Sequence, residues 1–215
     1  MTRSGTEGRP AHPSEERSPP RWTARTAGAA PGASSRSSSS SASTSSAAAP
    51  SSSPPPPPPR AGLPASAPLA VTIPAIGVDA PLTRVGVDAA GWLEAPPPDH
   101  PDRAGWYAAS VTPGEPGTAV VTGHVDTPAG PAVFHALGAL TRGRTVEVHR
   151  ADGRTAVFTV HAVELLPKDD FPADRVYAAT RAPELRLITC GGPYSRATGY
   201  AGNVVVSARL TGLRA

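Results

Sequence analysis

Sulfur is almost missing from this sequence. Cys190 is the only cysteine and Met1 the only methionine among 215 residues, so neither an internal disulfide framework nor a cysteine-rich zinc site can form. Long apolar runs are missing as well. The longest in the first 68 residues is Ala47 to Ala49, against the roughly 18 residues a membrane-spanning helix needs. Met1 to Arg25 carries charges without an apolar centre, so the sequence as written displays no export signal and no anchor. Aromatics are few, with 3 Trp, 4 Tyr and 3 Phe, which leaves Val, Leu, Ile and Ala to build the interior.

The last absence is a basic face. The formal charge of +3 divides unevenly: residues 1–68 carry 7 Arg against 3 acids, and residues 69–215 carry 13 Lys+Arg against 14 Asp+Glu. The body is close to neutral and the arginines ahead of it are scattered, so a nucleic-acid-binding domain is excluded.

Proline and serine are abundant. Pro accounts for 28 residues, 14 of them before Leu69, where an average composition would have about 5%. This tail divides into a charged stretch (Met1 to Ala30), a Ser-rich tract (Ser34 to Ser53) and a run of prolines (Pro54 to Pro59). Such a composition cannot bury enough apolar surface to offset its ordering entropy, so residues 1–68 read as a disordered tail or stalk. The proline run reads as a stiff rod of roughly 3 Å per residue, or else as a proline-rich ligand for another domain.

From Leu69 the texture changes to short β-branched runs separated by Gly, Pro and Asp, the pattern of an all-β sandwich or barrel over residues 69–215. The expected strands are Val71 to Ile76, Leu82 to Val85, Thr118 to Thr122, Thr145 to His149, Thr155 to Leu166, Leu185 to Thr189 and Val204 to Leu210. One segment reads as helix: in Pro131 to Leu140, Val133, Phe134, Leu137 and Leu140 recur at helical spacing behind a proline suited to a first turn.

Two residues can carry chemistry. Cys190 closes the apolar run LRLIT and precedes Gly191 and Gly192, so its thiol is expected where the strand leaves the sheet, without a bulky neighbour on that side. A free cysteine is also commonly just a small buried hydrophobe. His124 follows the β-rich run Ala119 to Thr122 and Gly123, again at a strand exit. It reads equally as a turn histidine bonded to Asp126, and two such ligands do not make a metal site. Taken together, a thiol and a strand-end imidazole suggest a cysteine nucleophile with a histidine partner, the pairing that forms an acyl-thioester. An oxyanion donor is then needed, and Arg196, six residues after Cys190, is the nearest cation in sequence.

The runs VTIPAIGVDAPL, PGEPGTAVVTGHVDTPAGPAVFHALGAL, PKDDFP and LRLITCGGPYSRATGYAGNVVVSA, in this order from Leu69 to Leu210, strongly resemble the actinobacterial class F sortases. The resemblance implies a closed eight-stranded β-barrel with one or two short helices. It implies a cysteine transpeptidase that cleaves an LPxTG-type sorting signal, holds the acyl fragment on Cys190 and transfers it to an amine, with His124 as the acid and no metal or organic cofactor. The implied partners are a surface-protein sorting peptide and an amine acceptor such as a cell-wall precursor; the enzyme would be a monomer outside the membrane. Thr189, Gly191, Tyr194 and Asn203 are the expected substrate contacts, and Pro193 to Gly199 and Leu165 to Tyr177 the expected groove walls.

Two features depart from the family. Many sortases open the last strand with an oxyanion arginine, and that place holds Asn203 here, so either Arg196 reaches in from its loop or Asn203 donates a neutral hydrogen bond; Arg196 is the residue expected to complete the catalytic set with His124 and Cys190. The stalk is present, and the anchor that normally precedes it is not seen. A thioester hydrolase of the same fold and a non-catalytic surface module are the competing readings.

Overall fold

The computed structural model describes residues 62–89 and 91–215; the three tail segments lie outside the described residues. In chain order the strands are β1 (Pro68–Ile73), β2 (Val78–Val85), β3 (Ala104–Tyr107), β4 (Gly117–Thr122), β5 (Asp126–Thr127), β6 (Gly130–Pro131), β7 (Thr145–Arg150), β8 (Thr155–Pro167), β9 (Pro183–Ser195) and β10 (Gly199–Arg214), with one helical turn, α1 (Ala173–Val176), between β8 and β9. Eight of them close into a barrel in the order β1-β2-β3-β4-β9-β10-β8-β7, and β5 and β6 form a separate small hairpin. The all-β, eight-stranded expectation holds.

Alternation of side chains closes this barrel. Along β7, Val146, Val148 and Arg150 are buried while Thr145, Glu147 and His149 face outward, the period of two that fills one face of a sheet. Val71, Ile73, Val121, Phe158, Leu185 and Leu187 meet inside. Each fully buried Leu or Phe contributes about 1.5–3 kcal/mol relative to exposure, so a core short of aromatics is still adequate. β4 differs from β7 in that all six of its residues are buried. Its outward Val120 is covered by a second cluster, with Val176, Ile188 and Val205, because the segment between β8 and β9 folds down over this wall.

Residues ahead of β1 belong to the folded unit. Leu63 packs on the core and donates its N–H to Gly114 O at 2.7 Å. The buried Arg150 donates to Pro64 O at 2.6 Å and Pro113 O at 2.5 Å, with Asp152 at 3.0 Å balancing its charge. These contacts lie beside the start of β4, at the end of the barrel opposite to where β4 finishes.

Three local expectations are corrected. β3, sequence AGWY, is a barrel strand that no apolar alternation announces; it forms because Leu82 to Val85 and Val121 to Thr122 supply edges on both sides. Pro131 to Leu140 is not an α-helix: only Leu137–Ala139 forms a 3-10 turn. The N–H groups of Val133 and Phe134 go to Pro101 O (2.7 Å) and His124 O (3.0 Å) rather than along a helix. Phe134, Leu137 and Leu140, spaced by three, plug the barrel with 0%, 0% and 4% exposure, a spacing that suits the tighter helix. Finally, β9 does not stop at Cys190. It continues to Ser195, paired with β10 through Gly191↔Gly202 and Tyr194↔Tyr200.

Candidate active site

Cys190 is half-buried, and the reason is the departure of its neighbour rather than the end of its own strand. β4 and β9 run parallel with Thr122 opposite Ile188, and the last bond between them is Gly123 N–H to Ile188 O at 3.1 Å. Beyond it β4 peels away. Two residues further along, β9 reaches Cys190 and the departing chain reaches His124. Val120 and Ile188 share the outer wall, so by alternation Cys190 also lies on that face.

On the other side of β9, Asn203 of β10 pairs directly with Cys190 and is 3% exposed. Directly opposed residues of an antiparallel pair share a face, with Cβ atoms about 4.5–5.5 Å apart. The strand order β4-β9-β10 thus puts Asn203 beside Cys190 at one end of the outer wall, with His124 on the chain that leaves β4 at the same end.

The imidazole is oriented by a backbone group. His124 Nε2 lies 2.7 Å from Pro96 O; a carbonyl can only accept, so Nε2 carries the hydrogen and Nδ1 is the nitrogen left to exchange a proton. The loop is also held from inside, by the bond from Phe134 N–H to His124 O. Gly123 is required here: a Cβ at this position would sit 2.6 Å from Phe134 Cδ2 and 2.7 Å from Val133 Cγ1.

The other expected residues are distributed unevenly. Thr189 is buried with the inward-facing set, 4% exposed, and its Oγ1 has no hydrogen-bond partner among the described residues, so it is not on the face that carries Cys190. Gly191 is buried against Val204, whose Cγ2 would lie 2.7 Å from an added Cβ. Tyr194 is exposed and its ring meets that of Tyr200 with centroids 5.0 Å apart. Arg196 occupies the exposed turn between β9 and β10, roughly 20 Å along the strand from Cys190 at about 3.3 Å per residue. Sequence reasoning missed the Pro96 carbonyl, which has no side-chain signature, and Tyr200, whose hydroxyl donates to Asp126 Oδ2.

Below Cys190 the outer wall continues as an apolar stripe of Ile188, Val120 and Val205, overlain by Phe171, Val176 and Tyr177. Burial raises the phenol of Tyr177 above its ordinary range. Beyond this stripe Glu184 accepts from Arg186 (2.6 Å) and His161 (3.3 Å). Burial alone would raise its carboxyl, but these two hydrogen bonds outweigh burial and hold it down at about 2. Among the described residues no three His, Cys, Asp or Glu side chains are grouped to hold a metal ion, and no helix is long and apolar enough to cross a membrane.

Comparison with known proteins matches residues 71–211 to the sortase domain. Sortase A from Corynebacterium diphtheriae superposes with a TM-score of 0.52 at 21% identity, covering 69% of this chain and 63% of that one, which is less than two thirds of its length. Sortase C2 of pilus island 1 from group B Streptococcus gives 0.51 at 20% identity over 67% and 73% of the two chains. Sortase C from Streptococcus pneumoniae gives 0.51 at 23% over 66% and 65%. At these identities the likeness is one of fold. No curated protein matches the sequence.

Proposed function

The chain belongs to the sortase family, and from that premise we propose that it is a cysteine transpeptidase of class F type acting on an LPxTG-type sorting signal outside the membrane. The observation that supports the reading is that Asn203 pairs with Cys190 on β9 while the chain carrying His124 leaves the adjacent strand β4 at the same end.

In this mechanism the Cys190 thiolate attacks the carbonyl carbon of the scissile peptide bond. The tetrahedral oxyanion accepts a hydrogen bond from the Asn203 side-chain amide, a neutral donor in a site shielded from water. The C–N bond breaks as His124 gives the proton on Nδ1 to the departing amine, leaving a thioester on Sγ. An incoming amine then attacks the thioester, loses its proton to Nδ1, and releases Cys190 as thiolate with a new amide formed. Pro96 O keeps Nε2–H engaged throughout, so the proton always moves at one nitrogen. Attack needs the thiol deprotonated and expulsion needs the imidazole protonated, so the rate rises and then falls with pH.

Asn203 is assigned as the oxyanion donor because it is opposite Cys190; Arg196 contributes only when the hairpin tip folds onto a bound peptide. The acyl part of the substrate lies on the outer face beside Cys190, with the segment from Leu165 to Tyr177 as one wall and Pro193 to Gly199 as the other. The test is to incubate the full chain with a labelled LPxTG-type peptide and an excess of a primary amine, and to quantify amide against carboxylic acid product. Amide as the main product supports transpeptidation. Acid alone makes the protein a hydrolase of the same fold, and an uncleaved peptide makes it a binding module.

A further inference from the structure

Asp126, two residues past His124, accepts a hydrogen bond from the hydroxyl of Tyr200 across 74 positions of sequence. Asp126 opens β5, at the end of the loop that leaves β4, while Tyr200 belongs to β10, and β9 with Cys190 lies between β4 and β10. The bond lies beside a local irregularity of the sheet. The register of β9 against β10 slips between Tyr200 and Gly202. The extra residue is on β9, three steps from Gly191 to Tyr194 against two from Tyr200 to Gly202, and a bulge re-aims the side chains beside it, so that Tyr194 comes opposite Tyr200. The ring is steadied by Tyr194 at 5.0 Å. The hydrogen bond to Asp126, then burial and the charges of Asp126 and Cys190, push the phenol up to about 12. It therefore remains a donor through the neutral range.

We propose that Tyr200 and Asp126 are positioning residues, and that their hydrogen bond ties the loop carrying His124 across β9 to β10 so that the imidazole is held against Cys190. The inference rests on the His124–Cys190 reading given above and deepens it. Neither residue exchanges a proton with substrate. Without the tie, the chain past Gly123 keeps its backbone bonds to Ile188, Phe134 and Ala132 and the His124–Pro96 contact but loses its side-chain link to β10, and a misplacement of about 1 Å near reacting groups costs on the order of 100-fold in rate.

The expected signature is selective. Tyr200→Phe keeps the ring and its packing and deletes only the donor. It should lower kcat for cleavage of the amide peptide by about 10- to 100-fold with KM within about twofold. For acylation of Cys190 by the same peptide activated as a thioester, whose thiolate leaving group needs no proton, the single-turnover rate should stay near that of wild type, because His124 is not needed as an acid in that step. Asp126→Asn retains an acceptor for the phenol and should behave as wild type in Cys190 alkylation by iodoacetamide across pH, whereas Asp126→Ala should behave as Tyr200→Phe. That alkylation profile is the readout independent of turnover: Tyr200→Phe should move it toward the profile of His124→Ala. If His124→Ala shifts the profile and Tyr200→Phe does not, the tie is overturned while the pairing of His124 with Cys190 stands. If His124→Ala leaves the profile unchanged, the pairing itself fails and the tie falls with it. Equal losses on amide and thioester substrates would also overturn the proposal, since they would mark general damage to the site.

Discussion

Gly123 is where the fold and the proposed chemistry meet, and Gly123→Ala tests how tightly they are joined. An added methyl would lie 2.6 and 3.0 Å from two carbons of the Phe134 ring and 2.7 Å from Val133 Cγ1, roughly 1 Å inside an ordinary carbon–carbon contact of about 3.5–4.0 Å. The Phe134 ring is fully buried and cannot swing aside, so either the plug or the His124 loop must move. Overpacking of this kind costs about 1–3 kcal/mol, which for a folded unit of this size is a drop in Tm of roughly 3–10 °C. The loop is the softer of the two, since it leaves β4 after a single bond to Ile188. Its displacement by about 1 Å should lower kcat/KM for a sorting peptide on the order of 100-fold. Thermal unfolding followed by circular dichroism gives the first number and peptide cleavage at a temperature where the variant is folded gives the second. A lowered Tm with unchanged kcat/KM would refute the argument that this backbone contact sets the position of His124.

Asn203→Ala should lower kcat by about 100- to 1,000-fold, the usual cost of one oxyanion donor, while Arg196→Ala stays within about fivefold; the opposite order in steady-state kinetics would move the oxyanion role to Arg196. Thr189→Val replaces a buried hydroxyl that has no partner among the described residues and should stabilise the protein by about 1 kcal/mol, read as a rise in Tm, with cleavage retained; a fall in Tm would show that the hydroxyl is satisfied. Glu184 has a folded-state value of about 2 against 4.5 for a free carboxyl, so its contribution is present above pH 4.5 and is lost as pH falls toward 2. Glu184→Gln should therefore be less stable than wild type at pH 7 and nearly equal to it near pH 2, measured by urea unfolding; a constant difference across that range would contradict the assignment.

The parts of this molecule that sequence makes legible are those encoded by neighbouring residues. Alternation along Thr145 to His149 and Thr155 to Leu166 marks strands that the barrel contains, and Cys190 and His124 each stand out at the end of an apolar run. What alternation cannot carry is pairing between distant segments. β3 is a strand only because two other strands flank it. The GGPY stretch after Cys190 reads as a turn, yet it continues β9 because β10 pairs with it, and that continuation carries Arg196 out to an exposed tip. Phe134, Leu137 and Leu140 repeat at a spacing shared by two kinds of helix, and the hydrogen bonds to His124 and Pro101 choose between them. The partner of the His124 imidazole is a main-chain carbonyl of Pro96, which any residue type would supply, and the Tyr200–Asp126 bond joins residues 74 positions apart that no local pattern pairs.

The central claim is that Cys190 attacks the scissile carbonyl and holds the acyl fragment. Its most direct test is intact-mass spectrometry of the full chain during reaction with an LPxTG-type peptide in the absence of added amine, followed by peptide mapping. The account predicts a mass increase equal to the acyl fragment, located on the Cys190 peptide, absent from Cys190→Ala and discharged by a primary amine. Peptide cleavage that persists in Cys190→Ala, or an adduct located on any other residue, would contradict it.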